Sequence, residues 1–360
     1  MRSMRTAVLL VRPLASPQMS VQFRRGLRVA IGVAIILLLG TGWVVWFGAA
    51  QLVQPPRGQL TEYSGEWLLQ PAAHGIGWSR HSAHGGELPY LIVEPDAAAG
   101  VGQRGRVVRE QITAMGMTVR PFGEVLGTLV LLHGRTGRKE AMLAIAERFC
   151  AAGFRCVIPD LPAQGDSPIR FQTFGASADE GELARAVLLD AGRQQGFSPQ
   201  PAGLFGMSMG GAYAVSAASR HSDDWRALVL LSTFDSLPTV IGSKARDFFG
   251  PFAPLFVPPI KALARRRSGV DPSMIVPAEW AKRITTPTLL AHGTADPLFP
   301  SATGRRLFDA IGSREKTWLD VEGGSHDRVL TTSMPLYATM SAWFLKWVEP
   351  LSTGGEVSLP

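Results

Sequence analysis

Gly206-Met207-Ser208-Met209-Gly210 has the pattern G-x-S-x-G, and its flanks decide how the whole chain is read. Alone the pentapeptide is weak evidence, because glycine is frequent in this sequence. Here an apolar run, Pro201-Ala202-Gly203-Leu204-Phe205, leads in, and a small-residue stretch, Gly210-Gly211-Ala212-Tyr213-Ala214-Val215-Ser216-Ala217-Ala218, leads out. That order predicts a strand, a sharp turn and a helix, with Ser208 at the apex. Gly206 and Gly210 leave room for a turn in which larger side chains would clash. The helix start aims N–H groups at any negative charge that develops near the serine.

Outward from this turn, short continuous apolar runs alternate with helical patterns. Strands are predicted at 89–95, 107–120, 128–132, 155–159, 201–205, 227–232, 287–291 and 316–321. Helices are predicted near 138–152, 179–195, 209–221, 301–312 and 335–348. Such strands separated by helices argue for a mostly parallel sheet with helices on both faces. The stretch 237–282, rich in Pro, Phe and Arg, interrupts the alternation, and no internal repeat is visible. Downstream, in the order acid then histidine, come Asp296 in Ala291-His292-Gly293-Thr294-Ala295-Asp296-Pro297 and His326 in Gly323-Gly324-Ser325-His326-Asp327. Upstream, His133-Gly134-Arg135-Thr136-Gly137 follows the 128–132 strand.

Order, spacing and context together resemble the α/β-hydrolase superfamily over most of residues 86–348. The resemblance implies a serine hydrolase in which Ser208 attacks, His326 is the base and Asp296 orients the imidazole. It places two oxyanion donors at the backbone N–H of Met209 and, by the H-G-x-x-G pattern, of Arg135. Asp235 after the 227–232 strand and Asp327 beside the histidine are rival acids, but the Gly-Thr-Ala-Asp-Pro-Leu-Phe-Pro run resembles the family's acid loop. His292 reads as structural. The 160–167 turn resembles one whose role is mostly structural. Segment 237–282 resembles a lid inserted after the sixth strand, with a surface excursion as the alternative. Its cluster Lys261, Arg265, Arg266 and Arg267 is either a solvated helix face or a headgroup contact. Carboxylic ester hydrolysis, on lysophospholipid or acylglycerol substrates, is the expectation. Amide cleavage and acyl transfer use the same residues, and a non-catalytic binding module is the reading from another class. Dehalogenase and epoxide hydrolase chemistry is disfavoured because the nucleophile is a serine rather than an aspartate. No cofactor or metal is expected.

The 360 residues are 46% hydrophobic, ample for one large core. The net charge of +7 invites a nucleic-acid reading. Yet Arg2, Arg5, Arg12, Arg24, Arg25 and Arg28 all precede the first apolar run, and setting them aside leaves about +1. No nucleic-acid partner is expected. The two cysteines, Cys150 and Cys156, read as buried small hydrophobes rather than a bridge or a metal site.

Residues 29–50, VAIGVAIILLLGTGWVVWFGAA, are 22 nearly unbroken apolar positions, enough to cross a bilayer. Arginines crowd the leading end, and Trp43 and Trp46 lie toward the far end. The positive-inside rule then puts residues 1–28 in the cytoplasm and the body outside, at a bacterial inner membrane facing the periplasm. A cleaved signal peptide competes, since Gly48 and Ala50 suit the positions before a cut. An organellar leader and a buried core helix are further alternatives. The expected organisation is a basic segment 1–28, a transmembrane helix 29–50, an irregular lead-in 51–85, a hydrolase domain 86–350 and a tail 351–360.

Overall fold

The computed structural model describes residues 21–348; the first 20 residues of the basic N-terminal segment and residues 349–360, with the expected tail 351–360, lie outside the described residues. Two compact units divide the chain, one ending at Val45 and the other starting at Trp46. In the first, the described residues belong to α1 (Val21–Val53), a helix longer than the apolar run that announces it. Within Phe23–Val53 the most apolar 18-residue window has a mean hydropathy of 2.3, and none of that window is buried.

The second unit is built on an eight-stranded sheet. Its strands are β1 (Ile76–Ala83), β2 (Leu88–Pro95), β3 (Gly127–Leu132), β4 (Phe154–Pro159), β5 (Ala202–Met207), β6 (Ala227–Leu231), β7 (Thr288–Gly293) and β8 (Lys316–Val321). They lie in the order β1-β2-β4-β3-β5-β6-β7-β8. β2 is antiparallel to β1 and to β4, and the remaining neighbours are parallel. This is the α/β-hydrolase fold.

Period-two side-chain alternation explains why the central strands read as unbroken apolar runs. Val130, Leu132, Leu204, Leu228 and Leu230 enter one core, while Leu129, Leu131, Phe205, Val229 and Leu231 enter the other. The first core is closed by α5 (Ala178–Gln195), α6 (Met209–Arg220), α9 (Pro277–Ala281) and α10 (Ser301–Ala310). Helices α2 (Glu62–Leu69), α3 (Gln103–Ala114), α4 (Leu143–Ala151) and α11 (Leu336–Val348) close the second. Between β6 and β7 the chain inserts α7 (Leu237–Phe249) and α8 (Ala253–Ser268) ahead of α9.

Two expectations are corrected. The strand predicted at 107–120 is largely α3, whose buried Val108 and Ile112 stand four apart and so share a helical face. The stretch 51–85, expected to be irregular, carries the end of α1, then α2 and β1. α2 is started by Thr61, whose Oγ1 accepts from the Ser64 N–H at 3.1 Å. β1 escaped notice because it is an edge strand, buried only at Ile76 and Ala83. Cys150 and Cys156 are free and buried, as expected.

Glu147 on α4 is buried, and its Oε2 has no hydrogen-bond partner. Burial raises its pKa to about 7, against the smaller opposing pull of Arg148 and Arg104. An acid whose folded pKa lies above its unfolded value of 4.5 weakens the fold progressively as pH rises from 4.5 to 7, and fully above that. Glu147→Gln should therefore raise Tm by about 3 °C at pH 8 and leave it unchanged at pH 4, read by thermal melts at the two values.

Candidate active site

β5 delivers Ser208 to the start of α6 in a backbone conformation with φ 54° and ψ −120°. This is the left-handed half of conformational space, which costs a non-glycine residue about 1–3 kcal/mol. The surroundings impose it. The Ser208 N–H donates to Leu231 O on β6 at 2.9 Å. The Thr233 hydroxyl donates to Ser208 O at 2.8 Å. At the second residue of α6, a Cβ on Gly210 would lie 2.1 Å from Leu132 O, so only glycine lets the helix sit this close to β3. The strain is shared along the sheet. Thr136, Ala163, Ser208 and Ser232, which follow β3, β4, β5 and β6, all have positive φ.

The carboxyl ends of β7 and β8 supply the other two residues. Ser208 Oγ lies 2.9 Å from His326 Nε2, and His326 Nδ1 lies 2.7 Å from Asp296 Oδ2. Asp296 is only 5% exposed, and its Oδ1 accepts from the N–H groups of Leu298 and Phe299, each at 2.8 Å. Burial pushes its pKa up, but the bond from His326 and these backbone donors outweigh that and hold it below the usual carboxylate range. A carboxylate only accepts, so His326 Nδ1 carries the proton and Nε2 presents a lone pair to the serine hydroxyl. The two loops are tied together: Gly323 N–H donates to Thr294 Oγ1 at 2.9 Å, and Ala295 N–H to Gly324 O at 3.1 Å. Phe299 packs edge-to-face with the His326 ring, with centroids 5.0 Å apart.

The rival acids are engaged elsewhere. Asp235 pairs with Arg306 Nε at 2.6 Å, and Asp327 is exposed. His292 is buried, and its Nε2–H donates to Phe299 O at 2.8 Å. Burial lowers its pKa and keeps it neutral, against the raising effect of that bond and of Asp296.

Met209 is the first residue of α6, where N–H groups have no partner within the helix. The loop after β3 comes up beside the serine, since a Cβ on Gly134 would lie 3.4 Å from that of Ser208. His133 is buried; its Nε2 accepts from the Leu161 N–H at 3.2 Å, so Nδ1–H donates to Gly134 O at 2.8 Å. Behind this loop lies a charge network that sequence reading missed. Lys139 is fully buried, with Nζ 2.7 Å from Asp160 Oδ2, 2.5 Å from Asp166 Oδ2 and 3.1 Å from Glu140 Oε1. The Lys139 N–H also donates to Asp160 Oδ1 at 2.7 Å. The available signal was an aspartate directly after the buried 155–159 strand, a place where a charge needs a partner. Of the basic cluster on α8, Arg267 stacks over Trp46 at 5.3 Å, and Arg265 lies 3.8 Å from Asp271.

A hydroxyl, an imidazole and a buried carboxylate in line, on a strand–turn–helix elbow, define an α/β-hydrolase-fold serine hydrolase. A family model described as serine aminopeptidase, S33 matches residues 123–280 and 278–331, more than half of the chain, and the chain belongs to that hydrolase family. Among solved structures, an esterase from Pyrococcus furiosus is similar with a TM-score of 0.57 at 15% identity, over 82% of this chain and 98% of that one. A bacterial membrane phospholipase A is similar at 0.48 and 19%, over 88% and 97%. A cold-adapted esterase from an Arctic intertidal metagenomic library is similar at 0.49 and 17%, over 76% and 94%. These likenesses lie in the fold.

Gly210→Ala sets a Cβ against the Leu132 carbonyl, so α6 must back away from β3. The variant should lose about 3 kcal/mol of stability by urea denaturation.

Proposed function

We propose that this chain is a membrane-anchored carboxylic ester hydrolase acting through Ser208, His326 and Asp296. The observation that carries the reading is the relay of 2.9 Å and 2.7 Å from Ser208 through His326 to Asp296. His326 Nε2 takes the hydroxyl proton as Ser208 Oγ bonds to the acyl carbon. The carbonyl electrons move onto oxygen, and the N–H groups of Met209 and Arg135 receive that charge. The tetrahedral intermediate collapses, the C–O bond to the alcohol breaks, and His326 hands its proton to the departing alkoxide. Water then enters by the same route, giving up a proton to His326 and releasing the acid with Ser208 restored. Asp296 stays ionised throughout and stabilises the imidazolium.

The segment 237–282 is read as a lid. Phe248, Phe252 and Leu255 on it are 83%, 63% and 70% exposed, an apolar surface suited to acyl chains. With the long apolar helix α1 on the same chain, this favours lysophospholipid or acylglycerol substrates drawn from a bilayer. The α1 helix passes the length and hydropathy requirements of a membrane span, and the arginines ahead of its apolar run favour a cytoplasmic N-terminus with the body in the periplasm. The family description favours a second reading, cleavage of an amide by the same relay.

The test is the full chain in detergent, assayed on p-nitrophenyl esters of two to sixteen carbons and on aminoacyl p-nitroanilides. Ser208→Ala should abolish ester turnover, and Asp296→Asn should cut kcat about 10⁴-fold by misplacing the imidazole proton. Faster turnover of anilides than of esters would install the amide reading. Failure of a fluorophosphonate to label Ser208 would leave a non-catalytic module.

A further inference from the structure

The segment joining the apolar helix to the body is built into the active-site face. From Trp46 onward α1 belongs to the catalytic unit. Ala49 and Val53 are buried, at 0% and 3% exposure, and form a small core with Ala264 of α8, flanked by Leu52, Phe171 and Leu263. Ile260 of α8 lies over Gly48, and Arg267 over Trp46. Gln51, on the same two turns, accepts from Arg135 Nη2 through its side-chain Oε1 at 2.5 Å and through its carbonyl at 3.2 Å. Arg135 is the residue whose N–H is assigned to the oxyanion.

Past the helix the chain keeps to the same surface. Gln172 donates from its backbone N–H to Val53 O at 2.8 Å and from Nε2 to Leu52 O at 2.9 Å. Arg57 Nη1 donates to Gly165 O at 3.0 Å. A Cβ on Gly58 would lie 2.1 Å from Thr136 O, so the backbone there rests directly on the residue after Arg135. Residues 46–58 thus touch α8, the loop after β3 and the loop after β4.

We propose that residues 46–58 form a strap that fixes the oxyanion loop against the inserted helices, with Gln51 a positioning residue acting through Arg135. The inference rests on the serine hydrolase reading of the site. Arg135 and Thr136 are exposed at the tip of a loop whose Thr136 has positive φ. An exposed, strained tip is free to relax unless something holds it, and a donor displaced by about 1 Å can cost on the order of 10²-fold in rate. Gln51 and Gly58 grip the two successive residues of that tip. A cut after Ala50, as by a signal peptidase, would take away Trp46, Gly48 and Ala49 and leave Gln51 as a frayed chain end.

The experiment uses the full chain in detergent, with wild type, Gln51→Ala, Gln51→Glu, Arg135→Met and the Gln51→Ala/Arg135→Met double variant. Two readouts are taken: kcat and KM on a p-nitrophenyl ester, and the rate of fluorophosphonate labelling of Ser208, which draws on the same oxyanion donors. The strap predicts that Gln51→Ala lowers kcat and the labelling rate about tenfold with KM within twofold. Gln51→Glu, which keeps an acceptor for Arg135, should restore both to within about twofold. The double variant should be no slower than the slower single one, because both remove one interaction. Unchanged labelling in Gln51→Ala overturns the strap, as does a loss that Gln51→Glu fails to restore or one that multiplies with Arg135→Met. If Arg135→Met does not fold, the alanine and glutamate pair at position 51 decides alone. Absence of ester turnover with labelling intact defeats only the ester reading, and the labelling rates still judge the strap. Absence of labelling in wild type overturns both.

Discussion

Ser208 is held in a backbone conformation its side chain disfavours, and the rest of the molecule is arranged to keep it there. Neighbouring strands supply the means: Leu231 takes the serine N–H, Thr233 bonds its carbonyl, and Gly210 lets α6 press onto β3. A local cost of about 1–3 kcal/mol persists only because two cores, one on each face of the sheet, over-determine where β5 and α6 lie. The result is a hydroxyl lifted out of the turn and aimed at an imidazole.

Preorganisation extends to the loops. Asp296 is buried yet ionised because three hydrogen-bond donors converge on its two oxygens, two of them rigid backbone N–H groups. The His326 loop is pinned to the acid loop at Thr294 and Ala295, so the ring is presented by a clamped segment despite its two glycines. Behind the loop after β3, the buried Lys139 pairs with the buried Asp160 and with Asp166 at the surface of the next loop. Removing either sign of charge there would strand the other in a low-dielectric interior.

Most of this was legible in the sequence, for reasons that also mark where legibility ended. The five strands from β3 to β7 are buried along nearly their whole length, so their apolar runs stood out, while β8 at the edge was marked by Trp318, Leu319 and Val321. Ser208, His326 and Asp296 lie in turn within hydrogen-bonding distance, and Met209 is the first residue of α6. What failed was peripheral or long-range. β1 is an edge strand with polar residues between its buried ends, and α3 places its two buried aliphatics on a helical face within a charged stretch that mimics alternation. The pairing of Gln51 with Arg135 spans 84 residues and depends on a helix end returning to the fold, which local pattern cannot reveal.

The burial of Ala49 and Val53 bears on how such a protein can be inherited and re-engineered. Leader and body are commonly pictured as separable modules, traded freely between genes and cut apart at will. Here the last two turns of the apolar helix pack Ala49 and Val53 against the body, so the modular seam lies at residues 45 and 46 rather than at the end of the hydrophobic run. A recombination event that swapped the leader at the apparent boundary would leave a hole beside Ala264. Only sequences that carry Trp46 and its successors with the body transplant it whole.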